Sequence, residues 1–258
     1  MESQAMYALL LSVGAGLSTL IGWLVVLVAK RKDTALLSAA LGFAAGVMMS
    51  VSFMDLMPEA VQGLGHTLSS GAATALSVAF LLLGVCISAL MDRLVPHDSY
   101  DAEAGEAPHQ DLFRVGLVST AAIALHNFPE GIATFMAGLE NTALGISVAL
   151  AIAFHNIPEG IVVAMPVYYA SGSRKRALLY TLLSGLAEPM GAILAFLILR
   201  PFISQFLLGA IFAAVSGIML YIALEELIPS SRQYGHDRLA LWCTLAGICL
   251  MPLTHILG

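Results

Sequence analysis

The chain has 258 residues, 59% of them hydrophobic and only 11% charged, with a formal net charge of -6. That apolar share exceeds what a soluble domain carries, so the composition excludes an ordinary globular protein and points to an all-α polytopic membrane protein. There is no nucleotide-binding loop and no basic patch for nucleic acid, and Cys86, Cys243 and Cys249 stand at neither CxxC nor zinc-finger spacing, so they read as small buried residues without a disulfide framework.

Eight apolar stretches are predicted to cross the membrane as helices: residues 6–29, 34–57, 72–91, 112–137, 142–169, 177–199, 202–227 and 240–257. Each is near or above the ~20 residues a bilayer requires. The first is expected to remain as an anchor, because Met1, Glu2, Ser3 and Gln4 carry no positive charge and the apolar run is long. The second carries Asp55 and Glu59 near its outer end. After the third comes the polar segment 92–111, with His97, Asp98, Asp101, Glu103, Glu106 and His109; it reads as a flexible cytoplasmic loop, a weak cation-collecting role being the alternative. Asp92, Glu225 and Glu226 fall near the inner ends of the third and seventh spans, where acids either release cations or simply cap and snorkel.

Basic residues set the orientation. Ten of the 11 Lys and Arg residues lie in alternate loops: Lys30, Arg31, Lys32, Arg93, Arg114, Arg174, Lys175, Arg176, Arg232 and Arg238, with Arg200 on the other side. By the positive-inside rule those loops face the cytoplasm and both termini face outward.

The fourth and fifth spans say almost the same thing twice. HNFPEG begins at His126 and HNIPEG at His155, each placing an imidazole, an amide and a carboxylate inside an apolar segment, and the sixth span adds Glu188 at a similar depth. Ionisable groups are costly there and ordinarily mark a substrate or ion path. Positions i and i+4 share a helix face, so His126 aims with Glu130 and His155 with Glu159, while Asn127 and Asn156 sit at the edges of those faces. Pro129, Pro158 and Pro189 are expected to kink their helices and free the carbonyls of Leu125, Phe154 and Gly185 beside these groups. Three midplane carboxylates have no nearby Lys or Arg, so protons or bound cations must compensate them. Imidazole with carboxylate suits Zn(II) and Fe(II), amide and carboxylate oxygens suit harder cations, and two ions sharing Glu130 and Glu159 is one arrangement. A purely structural hydrogen-bonded cluster is the plain alternative, and a duplicated set argues against it.

These two motifs, with GLAEPMG at residues 185–191, LGFAAGVMMS at 41–50, MDRLVPH at 91–97 and EELIP at 225–229, resemble the ZIP (Zrt-, Irt-like protein) metal transporter family along all eight spans. The resemblance implies a single transmembrane domain over residues 1–258, an eight-helix fold and a binuclear site at mid-membrane. Carried over by position, a zinc-type site would use Glu130, His155 and Glu159 with His126. An adjacent iron-type site would use Asn127, Glu130, Asn156, Glu159 and Glu188. It further implies uptake of divalent cations, chiefly Zn(II) with Fe(II), Mn(II), Co(II) and Cd(II) as further candidates, a bacterial inner membrane among lipids, periplasmic termini and a homodimer. No catalytic cofactor is implied. An intramembrane metalloenzyme is the competing class, but the chain has no HExxH and no ExxH pair of the dimetal-carboxylate type.

Overall fold

The computed structural model describes residues 2–30, 33–94, 110–199 and 204–254. Among them the helices string into eight rods: α1 (Glu2–Trp23, continued by Val25–Val28), α2 (Thr34–Val51 through Met57–Gly65), α3 (Ser70–Leu94), α4 (Gln110–Glu140), α5 (Thr142–Ser171), α6 (Arg174–Gly185 and Ala187–Leu194), α7 (Gln205–Tyr221 through Ile228–Arg232) and α8 (Asp237–Thr254). Six stretches are long and apolar enough to cross a membrane: Ser3–Val28, Thr34–Gly65, Ser70–Arg93, Thr142–Ser171, Arg174–Ile198 and Gln205–Arg232. The remaining two rods are α4, diluted by the polar residues of its first turns and its motif, and α8.

Local signals start and stop these rods. Asp33, Asn141, Ser173 and Ser204 each accept a hydrogen bond from a main-chain N–H of the following first turn, as N-caps do. Asn141 alone separates α4 from α5, so the two motif helices are forced into an antiparallel pair. Gly172, at φ 67°, takes the left-handed turn that ends α5 and sends the chain back into α6.

Packing sorts the rods into two groups. α1, α4, α5 and α6 pack on one another, as do α2, α3, α7 and α8, and the groups meet where α2 lies on α5 and α7 on α4. Leu41 and Met48 of α2, Val163 and Met165 of α5, and Ala213 and Met219 of α7 fill that seam, all essentially buried. Lipid gives apolar helices no reason to leave it, so close approach of small residues does the joining. Gly131 lies against the Glu188 carbonyl of α6 and Gly160 against the Thr19 carbonyl of α1, leaving no room for a Cβ at either.

Pro129 and Pro158 stand inside α4 and α5, which continue past them, while α6 is interrupted at Leu186, three residues before Pro189, and π-helical turns at Ser52–Leu56 and Ile222–Leu227 precede Pro58 and Pro229. One expectation is corrected. Cys86 and Cys249 are exposed on the apolar outer surface and Cys243 is half-buried, because each lies on the outward face of α3 or α8.

Candidate metal centre

The antiparallel α4–α5 pair brings its two motifs face to face at mid-length. His126, Asn127, Glu130, His155, Asn156, Glu159 and Glu188 are all buried, from 0% to 7% exposed. The i, i+4 spacing holds His126 Nε2 3.1 Å from Glu130 Oε1, and the crossing of the helices places it 3.1 Å from Glu159 Oε1 as well. His155 Nε2 is 2.7 Å from Glu130 Oε1, and the two imidazole rings lie 6.1 Å apart. One potential ligand atom from each of His126, Glu130 and His155 falls within 4.8 Å of the others, the spacing of a cation site.

The amides are fixed by main chain. Asn127 Nδ2 donates to the Ser184 carbonyl at 3.2 Å, and Asn156 Nδ2 donates to the Ala15 carbonyl at 2.9 Å and to Glu188 Oε1. With their donors used, both amides are left with an acceptor to spare. Glu130 Oε2, both carboxylate oxygens of Glu159, Glu188 Oε2, Asn127 Oδ1 and Asn156 Oδ1 are buried without a hydrogen-bond donor. Buried acceptors in such number are costly unless something positive meets them. Between Arg114 and Arg174, and again between Arg176 and Arg200, the chain has no Lys or Arg to do so. Histidine nitrogen and unsatisfied oxygen together make a donor set for a borderline divalent cation such as Zn(II), with the oxygen-rich side near Glu188 and the asparagines suited to a harder ion.

Outside the centre, the sequence-predicted acids divide. Glu59, in the C-terminal half of α2, lines an open pocket of about 230 Å³ with Gln62, His66 and Gln205, and lies within electrostatic reach of Glu130 and His155. At the opposite end, Arg114 of α4 pairs with Asp92 at the end of α3 and with Glu226 of α7, the latter at 3.0 Å, and Tyr221 donates to Asp92 at 3.3 Å. Asp92 and Glu226 are therefore buried ion-pair partners rather than simple interfacial caps. Residues 95–109, which hold His97, Asp98, Asp101, Glu103, Glu106 and His109 of the expected 92–111 loop, lie outside the described residues.

Sequence reading missed the carbonyls of Ala15 and Ser184, since a main-chain acceptor has no residue signature. The Gly14-Ala15-Gly16 run and Ser184-Gly185 were the available signals, small residues that allow backbones to approach. Gly16 meets the Gly185 carbonyl at that crossing. Ser52 and Ser216 behave as packing residues: each donates to the other's carbonyl, at 3.3 and 3.0 Å.

The family described as "ZIP Zinc transporter" matches residues 96–254. Curated relatives match nearly end to end. The protein named "Zinc transporter ZupT" of Chlorobium phaeovibrioides is 46% identical over 97% of both chains. Those of that name from Akkermansia muciniphila and Streptococcus mutans are 44% identical over 96% of both, and 41% identical over 100% of this chain and 99% of theirs.

Proposed function

Because this chain belongs to the ZIP family of zinc transporters, we propose that it carries divalent metal cations into the cell, zinc foremost, through the buried centre where α4, α5 and α6 meet. The observation that carries this reading is the set of buried oxygens without donors beside two histidines. A divalent cation supplies the missing positive charge and exchanges its hydration shell for fixed ligands. The family consists of transporters rather than enzymes, so what the centre does to its ion is hold it and release it.

In this reading Glu130 and Glu159 bridge two positions. His126 and His155 complete the nitrogen-bearing one, which favours Zn(II). Asn127, Asn156 and Glu188 complete the oxygen-rich one, which admits Fe(II) and, by the same preference, Mn(II) or Co(II), with Cd(II) served by the histidine side. All eight rods cross the membrane as one domain, the Arg114 end facing the cytoplasm and the Asn141 end the periplasm, in a bacterial inner membrane. The pocket at Glu59 is the outer approach. A homodimer is consistent with the family, and the seven-residue centre lies wholly within one chain.

The test is competition for uptake. Purified protein in liposomes, given Zn(II) with increasing Fe(II) kept reduced, is expected to show mutual inhibition at controlled free metal. Zinc uptake unaffected by any excess of Fe(II) would remove the shared-carboxylate arrangement.

A further inference from the structure

Buried hydroxyls on a membrane helix ordinarily donate to a carbonyl one turn back. Thr120, Thr181, Ser52 and Ser77 do so here. Ser119 and Thr134 do not: both are 0% exposed and neither hydroxyl has a partner. Leaving them so is costly. Their positions are not arbitrary. At 3.6 residues per turn, Ser119, His126, Glu130 and Thr134 fall within a sector of about 80° on α4, over a rise of about 22 Å. Every member of that stripe has at least one buried polar atom without a hydrogen-bond partner. Ser12 of α1, likewise 0% exposed with an unpartnered hydroxyl, lies at the level of Thr134, because Gly138 packs on Ala8 one turn further along both helices.

We propose that the hydroxyls of Ser119 and Thr134 are transit ligands for the divalent cation, one on each side of the central carboxylates along α4. This rests on the transport reading of the centre and extends it to a route. A hydroxyl has two lone pairs and no charge, so it replaces a water on a passing ion without holding it, as a step beside a strong site must. Thr134 lies about 6 Å from Glu130 along the axis, towards the Asn141 end; Ser119 lies about 10 Å from His126, towards the Arg114 end. Between Ser119 and His126 the same face carries Ile123, 1% exposed, an apolar constriction that the ion passes when it leaves the histidines for Ser119.

The experiment measures initial zinc uptake into liposomes and zinc binding by titration, both on the purified full chain. Ser119→Ala and Thr134→Val should each slow uptake about fivefold, the scale of one lost polar contact, with zinc affinity and stoichiometry unchanged. Ser119→Thr, which restores the hydroxyl, should recover most of the rate. Thr120→Val, which removes a hydroxyl already bonded to the Gly116 carbonyl, should leave uptake near wild type. Wild-type uptake in Ser119→Ala and Thr134→Val, a parallel fall in affinity, or a Ser119→Thr variant as slow as Ser119→Ala overturns the route. Glu130→Ala, measured alongside, reports on the centre itself: retained zinc binding there would overturn the underlying reading, whatever the hydroxyl variants do.

Discussion

His155 Nε2 stands 2.7 Å from Glu130 Oε1, so a histidine of the second motif is joined to the glutamate of the first. The duplicated sequence thus produces one centre, shared across α4 and α5, rather than two separate ones. Glu130 also stands 3.1 Å from His126 of its own helix. A change at any one of these residues therefore reaches the other motif.

Ligand chemistry should still separate the two sides of the centre. His155→Ala is expected to reduce Zn(II) uptake more than Fe(II) uptake, because it removes an imidazole beside Glu130. Asn156→Ala is expected to show the reverse bias, because it removes the buried Oδ1 beside Glu188. Initial rates at controlled free metal, with iron kept reduced, measure both. Equal proportional losses of both metals in both variants would show one indivisible site.

Gly131 and Gly160 set how closely α6 and α1 approach the motif helices. Gly131→Ala and Gly160→Ala would each press a Cβ onto a neighbouring main-chain carbonyl, a clash expected to destabilise by about 1–3 kcal/mol. Gly14→Ala meets nothing within 4 Å and should be neutral or stabilising by up to about 1 kcal/mol. Melting temperatures of the purified proteins give the comparison, and similar values for all three would contradict the packing described.

The Arg114 ion pairs make a distinctive pattern in a charge-removal series. Arg114→Ala leaves Asp92 and Glu226 buried without that guanidinium, expected to cost about 3–5 kcal/mol. Replacing all three together, with Arg114→Met, Asp92→Asn and Glu226→Gln, should recover most of that loss, since no buried charge remains. A triple variant no more stable than Arg114→Ala would show that the loss does not come from the acids left without their partner.

The helical, membrane-crossing character was legible because an apolar run admits few folds, and the burial of the seven candidate residues could be read from their place in apolar spans, where His126 with Glu130 must share a face. What escaped was set by neighbours. Asn127 and Asn156 are oriented by the carbonyls of Ser184 and Ala15, which no residue pattern announces. Asp92 looked like an interfacial acid until α4 was seen to bring Arg114 beside it, 22 residues along the chain.

Topology follows from the basic loops. In a background lacking Cys86, Cys243 and Cys249, single cysteines at Ser3 and Asn141 should react with an impermeant reagent from outside. One at Ser173, between α5 and α6, should react only after the membrane is permeabilised. The opposite pattern would reverse the direction assigned to the route.

The account depends most on Glu130 and Glu159, the two carboxylates that each stand 3.1 Å from His126 Nε2. The most direct measurement is initial radiozinc uptake by liposomes containing only the purified protein, compared with Glu130→Ala and Glu159→Ala at matched protein content and verified folding. The wild type should take up zinc well above empty liposomes, and each variant should fall close to the empty-liposome level, because no neutral His or Asn replaces the charge of the lost carboxylate. Zinc uptake near the wild-type rate in both variants would contradict the centre as the site of passage.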